Sequence, residues 1–159
     1  MDKPMVQATR EELQRWEREH VLHPWRAQQG DVPLVVRASG TRFWDANGKA
    51  YLDFTSQLVF ANLGHAVPEL AEAAHAQSLQ VPAVASSFGT EPKARLARLL
   101  AEITPGDLNR SFFCTTGTEA NEAALKIARH VTERPTVVTR YRSYHGSTAG
   151  SASVTRDPR

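Results

Sequence analysis

The sequence predicts an α/β fold, a mostly parallel sheet with flanking helices, and three observations predict it. Arg110 to Thr115 holds the continuous apolar run Phe112-Phe113-Cys114, the pattern of a strand buried on both faces. The turn Thr116-Gly117-Thr118 follows at once and opens a helical stripe of Ala120, Ala124, Ile127, Ala128 and Val131. Beyond Pro135, the run Thr136-Val137-Val138-Thr139 reads as a second buried strand. Strand, helix, strand is the order of a βαβ unit, whose crossover helix implies a parallel sheet.

Composition sets the outer limits. A chain of 159 residues allows one domain and hardly two, at roughly 100 to 200 residues per domain. With 41% hydrophobic and 23% charged residues, it is neither fibrous nor disordered. A formal charge of +2 is too small to make nucleic acid or anionic lipid a default partner. The lone Cys114 forms no internal disulfide, and no zinc ligand set is visible, which suits a reducing cytoplasm. No stretch approaches the ~18 apolar residues of a membrane span, and Met1 to His20 has no apolar signal core.

The elements follow in order. Thr9 and Glu12 have the spacing of a capping box, so a helix is expected over 10–20 and is ended before His23-Pro24-Trp25. Asn47-Gly48 between apolar runs marks a hairpin, and 33–54 reads as a small antiparallel meander. Leu70, Ala73, Ala74 and Gln77 place a helix over 69–80. Pro92 opens another, with Leu96, Leu99, Leu100 and Ile103 on one face and Thr104-Pro105-Gly106 as its stop. Tyr141 to Gly150 is a loop that opens a last, small-residue helix.

Two segments carry chemistry. Thr116-Gly117-Thr118 stands at a helix N-terminus, where unpaired N–H groups and the positive end of the macrodipole favour a phosphate. The same residues also make a plain N-cap with Thr118 as the capping residue, and they match neither a Walker A loop nor a dinucleotide fingerprint. Tyr144-His145-Gly146 emerges past the second strand, on the same rim of a parallel sheet. An aromatic ring beside an anion site suits a phosphorylated heteroaromatic cofactor, which needs a face to stack on and an end to hold. His65 reads as a loop histidine and Cys114 as core, and Trp16, Trp25 and Trp44 are too scattered in sequence to form a platform. The arginines of 134–142 read as a solvated rim.

The chain resembles the N-terminal part of a class III aminotransferase, a pyridoxal-phosphate enzyme of fold type I. The resemblance rests on Phe112 to Lys126 and Tyr141 to Thr148, with softer matches at Asp45–Gly48, Tyr51-Leu52-Asp53, Asn62-Leu63-Gly64-His65 and Pro68. It implies that 1–60 is an N-terminal helix and meander belonging to a small domain, and that 61–159 begins the cofactor-binding large domain. It also implies that Gly117 and Thr118, with Thr116, bind the phosphate of pyridoxal 5'-phosphate. Tyr144 would stack on the ring, with His145 and Gly146 shaping its loop. Leu58, Val59 and Phe60 would line the substrate pocket, where many relatives carry a Trp in place of Val59.

Family members are dimers, so a homodimer is implied, with Ser86 to Thr90 reaching a partner's site. The implied reaction moves an amino group from an ω-amino donor, taurine-like or β-alanine-like, to a 2-oxo acid such as pyruvate. Such chemistry needs a Schiff-base lysine and a carboxylate for the pyridinium nitrogen, and in the family both lie well beyond Arg159. None of Lys3, Lys49, Lys93 and Lys126 has the context of that lysine. The expectation is therefore the first part of a longer enzyme, unstable and inactive alone. The rivals are an aminomutase or decarboxylase of the same fold, a non-catalytic fragment, and a nucleotide-binding α/β domain. The last is disfavoured because no acidic ribose ligand follows the glycine turn where one is expected.

Overall fold

Thr9 caps the first helix. Its hydroxyl accepts the Glu12 N–H at 3.2 Å while the Glu12 carboxylate accepts the Thr9 N–H at 2.8 Å. This reciprocal cap starts α1 (Arg10–His20), which ends when Val21 turns extended, three residues before Pro24. The computed structural model describes residues 8–24 and 30–157; Lys3 and Trp25 lie outside them. The described chain divides into two units, Met1–Val84 and Ala85–Arg159.

In the first unit, β1 (Val35–Ser39), β2 (Arg42–Asp45) and β3 (Ala50–Leu52) form the expected antiparallel meander in the order β1-β2-β3. Phe43 pairs with Tyr51 and Trp44 with Arg37. The Phe43 and Tyr51 rings stack at 5.0 Å, and the Arg37 guanidinium lies 3.6 Å from the Trp44 centroid. These cross-strand pairs are what stabilise so small a sheet.

The β2–β3 turn departs from the expected Asn-Gly hairpin. Gly48 alone takes positive φ, +80°, and its N–H donates to the Asp45 carbonyl at 2.9 Å. The buried Asp45 carboxylate organises the turn by accepting from the N–H groups of Asn47 and Lys49 and from the Tyr51 hydroxyl. Asparagine was the conspicuous residue in the sequence, yet the aspartate two residues earlier does the shaping.

One element was not foreseen. Ser56, Gln57, Leu58 and Val59 all have positive φ, 47° to 73°, and make a single left-handed turn, α2 (Ser56–Val59). For L-residues this costs on the order of 1–2 kcal/mol each, and most for a β-branched residue such as Val59. The chain then returns to the sheet: Gly40 and His65 exchange both backbone hydrogen bonds, at 3.0 and 2.8 Å. Gly64 is required there, because at φ +93° a Cβ would press to 3.2 Å from the Gly40 carbonyl oxygen. α3 (Pro68–Gln80) follows, opened by proline at its first position.

The second unit holds α4 (Glu91–Ile103), α5 (Gly117–Thr132) and α6 (Ala149–Val154), with α6 packed on α5. Buried positions among its described residues are Gly146, Ser151 and Val154, all at this contact. The segments 110–115 and 136–139 stand where strands were expected but join no ladder among the described residues. The parallel βαβ pairing read from the sequence is therefore not formed here. A buried-strand pattern marks a segment suited to the middle of a sheet, and it becomes a strand only when a neighbouring strand supplies backbone hydrogen bonds.

Candidate functional site

The site grows from the N-terminus of α5. Thr116, not Thr118, is the N-cap: its φ and ψ are extended and its hydroxyl accepts the Glu119 N–H at 3.1 Å. The Glu119 carboxylate reaches back one residue further, taking the Thr115 N–H at 2.9 Å and the Thr115 hydroxyl. Those donors hold the Glu119 carboxyl below its usual range, the hydroxyl contributing most. Gly117 and Thr118 occupy the first two helical positions, and among the described residues neither N–H has an acceptor. Two amides at the positive end of a 16-residue helix are thus left for an outside anion.

The aromatic loop is held against this turn by the face of α5 that carries Thr118, Asn121 and Glu122. Asn121 donates through Nδ2 to the His145 carbonyl at 2.6 Å. The His145 N–H donates to the Thr155 hydroxyl at 3.0 Å, that hydroxyl lies 3.1 Å from the Gly146 carbonyl, and His145 Nε2 bonds Thr139 Oγ1 at 3.1 Å. Gly146 has φ +138°, and a Cβ there would collide with the hydroxyls of Thr118 and Ser151. Glycine is what allows the loop and the turn to touch.

Glu122 completes the joint. Its Oε1 accepts from the Thr148 hydroxyl, the Gly150 N–H at 2.8 Å and the Ser151 N–H at 2.9 Å, capping α6 from across the site. The Thr148 hydroxyl first, then the Ser151 amide, hold its carboxyl below the ordinary range against the opposing effect of burial. A side chain at Gly150 would run into this carboxylate. Tyr144, 44% exposed, presents its ring at the surface with its hydroxyl bonded to Ser147 at 3.1 Å.

Thr116, Gly117, Thr118, Tyr144, His145 and Gly146 therefore all belong to the second unit, and Thr118 meets Gly146 directly. Leu58, Val59 and Phe60 belong to the first unit, on and just after the left-handed turn. Asn121, Glu122, Thr139 and Thr155 are the joint's unforeseen members. Asn121 and Glu122 follow Thr118 at three and four residues, the spacing that shares a helix face, so their polarity within an alanine-rich stripe was the available signal.

The donor set fits pyridoxal phosphate. Two unpaired amides and a hydroxyl suit a phosphate, a surface ring suits the pyridine, and both adjoining carboxylates are already engaged by other donors. A family model, aminotransferase class-III, matches residues 26–159. The chain belongs to the class III aminotransferase family.

Among its relatives in this family, an uncharacterised aminotransferase of Bacillus subtilis is 42% identical over 129 residues, covering 77% of this chain and 29% of that protein. An acetylornithine aminotransferase of Listeria monocytogenes is 41% identical over 121 residues, covering 76% and 31%. The structure is similar to that of taurine:2-oxoglutarate aminotransferase from Bifidobacterium kashiwanohense, in complex with PLP and glutamate. The TM-score is 0.91 and the identity 40%, over 96% of this chain and 34% of that one. It is also similar to an (S)-enantioselective omega-transaminase of Thermomicrobium roseum, with TM-score 0.89 and 36% identity over 95% and 36%. These neighbours establish the start of the fold type I α/β architecture. The chain spans about a third of the length of the relatives it matches.

Proposed function

We propose that this chain supplies the phosphate turn and the stacking loop of a pyridoxal-phosphate-dependent aminotransferase. The observation that carries the reading is the contact of Gly146 with Thr118, which sets an aromatic loop beside two unpaired helix N-terminal amides. The Gly117 and Thr118 amides and the Thr116 and Thr118 hydroxyls hold the phosphate. The Tyr144 ring stacks on the pyridine, and His145, bonded through Nε2 to Thr139, keeps the loop in place. When bound, the cofactor supplies an electron sink for the carbanion left by proton removal at the donor carbon.

The reaction is transfer of an amino group from an ω-amino donor, taurine-like or β-alanine-like, to a 2-oxo acid such as pyruvate. Similarity to the Bifidobacterium taurine aminotransferase supports the donor class. Leu58, Val59 and Phe60 contact the amino donor. Residues 1–60 belong to the family's small domain and 61–159 to its cofactor-binding domain. Two copies pair, with Ser86 to Thr90 turned toward the second site.

The test takes the gene product purified from its own host, loads it with pyridoxal phosphate, and supplies pyruvate or 2-oxoglutarate with taurine, β-alanine or acetylornithine in turn. Alanine formed from taurine or β-alanine is the expected result. Glutamate formed only from 2-oxoglutarate would move the acceptor, and turnover of acetylornithine alone would move the donor. Cofactor loading with no amino product from any pair would reject transamination.

A further inference from the structure

Four consecutive residues without glycine, all in the left-handed region, do not hold such a conformation unaided, so something must fix Ser56–Val59. Its internal bonds, from the Val59 N–H to the Thr55 carbonyl at 2.9 Å and from the Ala61 N–H to the Ser56 carbonyl at 2.9 Å, give one turn of support. The rest comes from Asp53. Its Oδ1 accepts from the Gln57 N–H at 3.2 Å and from the Thr55 hydroxyl at 3.3 Å. Its Oδ2 meets His65 Nε2 at 2.8 Å.

The Asp53 side chain is only 4% exposed, and His65 is itself fixed through its backbone to Gly40 and by the edge of the Phe43 ring. Asp53 also donates its N–H to the Thr41 carbonyl at 2.9 Å. The clamp is therefore part of the sheet, and the turn hangs from it. Burial would raise the Asp53 carboxyl, but the bonds from His65, Gln57 and Thr55 outweigh it and bring it down to about 2. What the turn carries is apolar and uncovered: Leu58 is 79%, Val59 71% and Phe60 79% exposed.

We propose that Asp53 and His65 are positioning residues for the amino donor, clamping Ser56–Val59 left-handed so that Leu58, Val59 and Phe60 stand as a fixed apolar wall for the donor's body. The inference rests on the proposed transamination and adds to it the residues that set donor choice. A clamp of this kind concentrates strain where a side chain must be aimed, and it acts on discrimination between donors rather than on the chemical step.

The test compares the cofactor-loaded wild type with Asp53→Asn, His65→Gln and the double variant Asp53→Asn/Gln57→Gly. The donors are a phenyl-bearing primary amine and β-alanine, both with pyruvate. Asp53→Asn is expected to lower kcat/KM for the phenyl donor about tenfold more than for β-alanine, with the difference in KM. Amide exchange of residues 55–61 should quicken in step. Gln57→Gly should restore both, because glycine takes positive φ without a clamp.

If Asp53→Asn does not fold, His65→Gln carries the same comparison, since it leaves the Asp53 bonds to Gln57 and Thr55 in place. Equal losses for both donors, or quickened exchange with the donor ratio unchanged, overturn the inference and leave transamination standing. A wild type that transfers no amino group overturns both.

Discussion

Single carboxylates organise each unit. Asp45 shapes a turn, Asp53 holds a strained one, Glu119 serves the N-terminus of α5 and Glu122 caps α6, and all four are shifted to lower pKa. A carboxylate with a depressed folded pKa contributes stability that is fully present above its unfolded value and is lost as pH falls through the folded one. The α5–α6 joint should therefore hold at neutral pH and loosen in acid, below the ordinary carboxylate range. Amide exchange at Gly150 and Ser151 across a descending pH series checks this. Glu122→Gln should show fast exchange already at pH 7 and lose the acid step, whereas an unchanged acid step would assign it to another group. Glu122 and Asp53 are poorly legible in the sequence, because Glu122 finds its partners 26 to 29 residues away and Asp53 meets His65 12 residues on. The cap of α5 is ambiguous for a local reason: three threonines within four residues satisfy the same pattern, and only backbone geometry selects Thr116 over Thr118.

Helices were the most legible elements, since cap, stripe and stop lie within one short window. The capping box marks the start of α1 and Pro92 that of α4, and the apolar spacing puts the start of α3 within one residue of Pro68. α2 could not be read, because nothing in Ser-Gln-Leu-Val prefers positive φ and the clamp that imposes it sits outside the turn. The meander was legible through its Asn-Gly signal even though the turn itself closes on Asp45. For α5 the cap assignment makes a discriminating prediction. Thr116→Ala should destabilise the first turn by about 1 kcal/mol, the usual loss for a capping hydroxyl. This appears as roughly fivefold faster exchange of the Glu119 amide. Thr116→Ser should retain protection, and Thr118→Ala should leave that amide unchanged. Equal effects at 116 and 118 would mean that the two hydroxyls share the cap.

At the scale of the whole molecule, surface is the deciding quantity. In the second unit, faces that the sequence marked as core stand open. Phe112 is 75% and Val138 92% exposed, and Leu96, Leu99 and Ile103 stand open along α4. A groove of about 540 Å³ runs between α5 and 134–139, lined by Ala124, Leu125, Ala128, Val137 and Val138. Apolar burial is the main favourable term in folding, so a chain that leaves this much uncovered has little to set against its conformational entropy. The 159-residue chain purified by itself should therefore melt over a broad range with low enthalpy. A fully folded domain of this length absorbs on the order of 110 kcal/mol, at ~0.7 kcal/mol per residue near 60 °C, and less than half of that is expected. Scanning calorimetry with a concentration series checks it. A sharp, concentration-independent transition near the full value would show that the two units bury these faces unaided. A transition that sharpens and rises with concentration would show that copies of the chain cover one another.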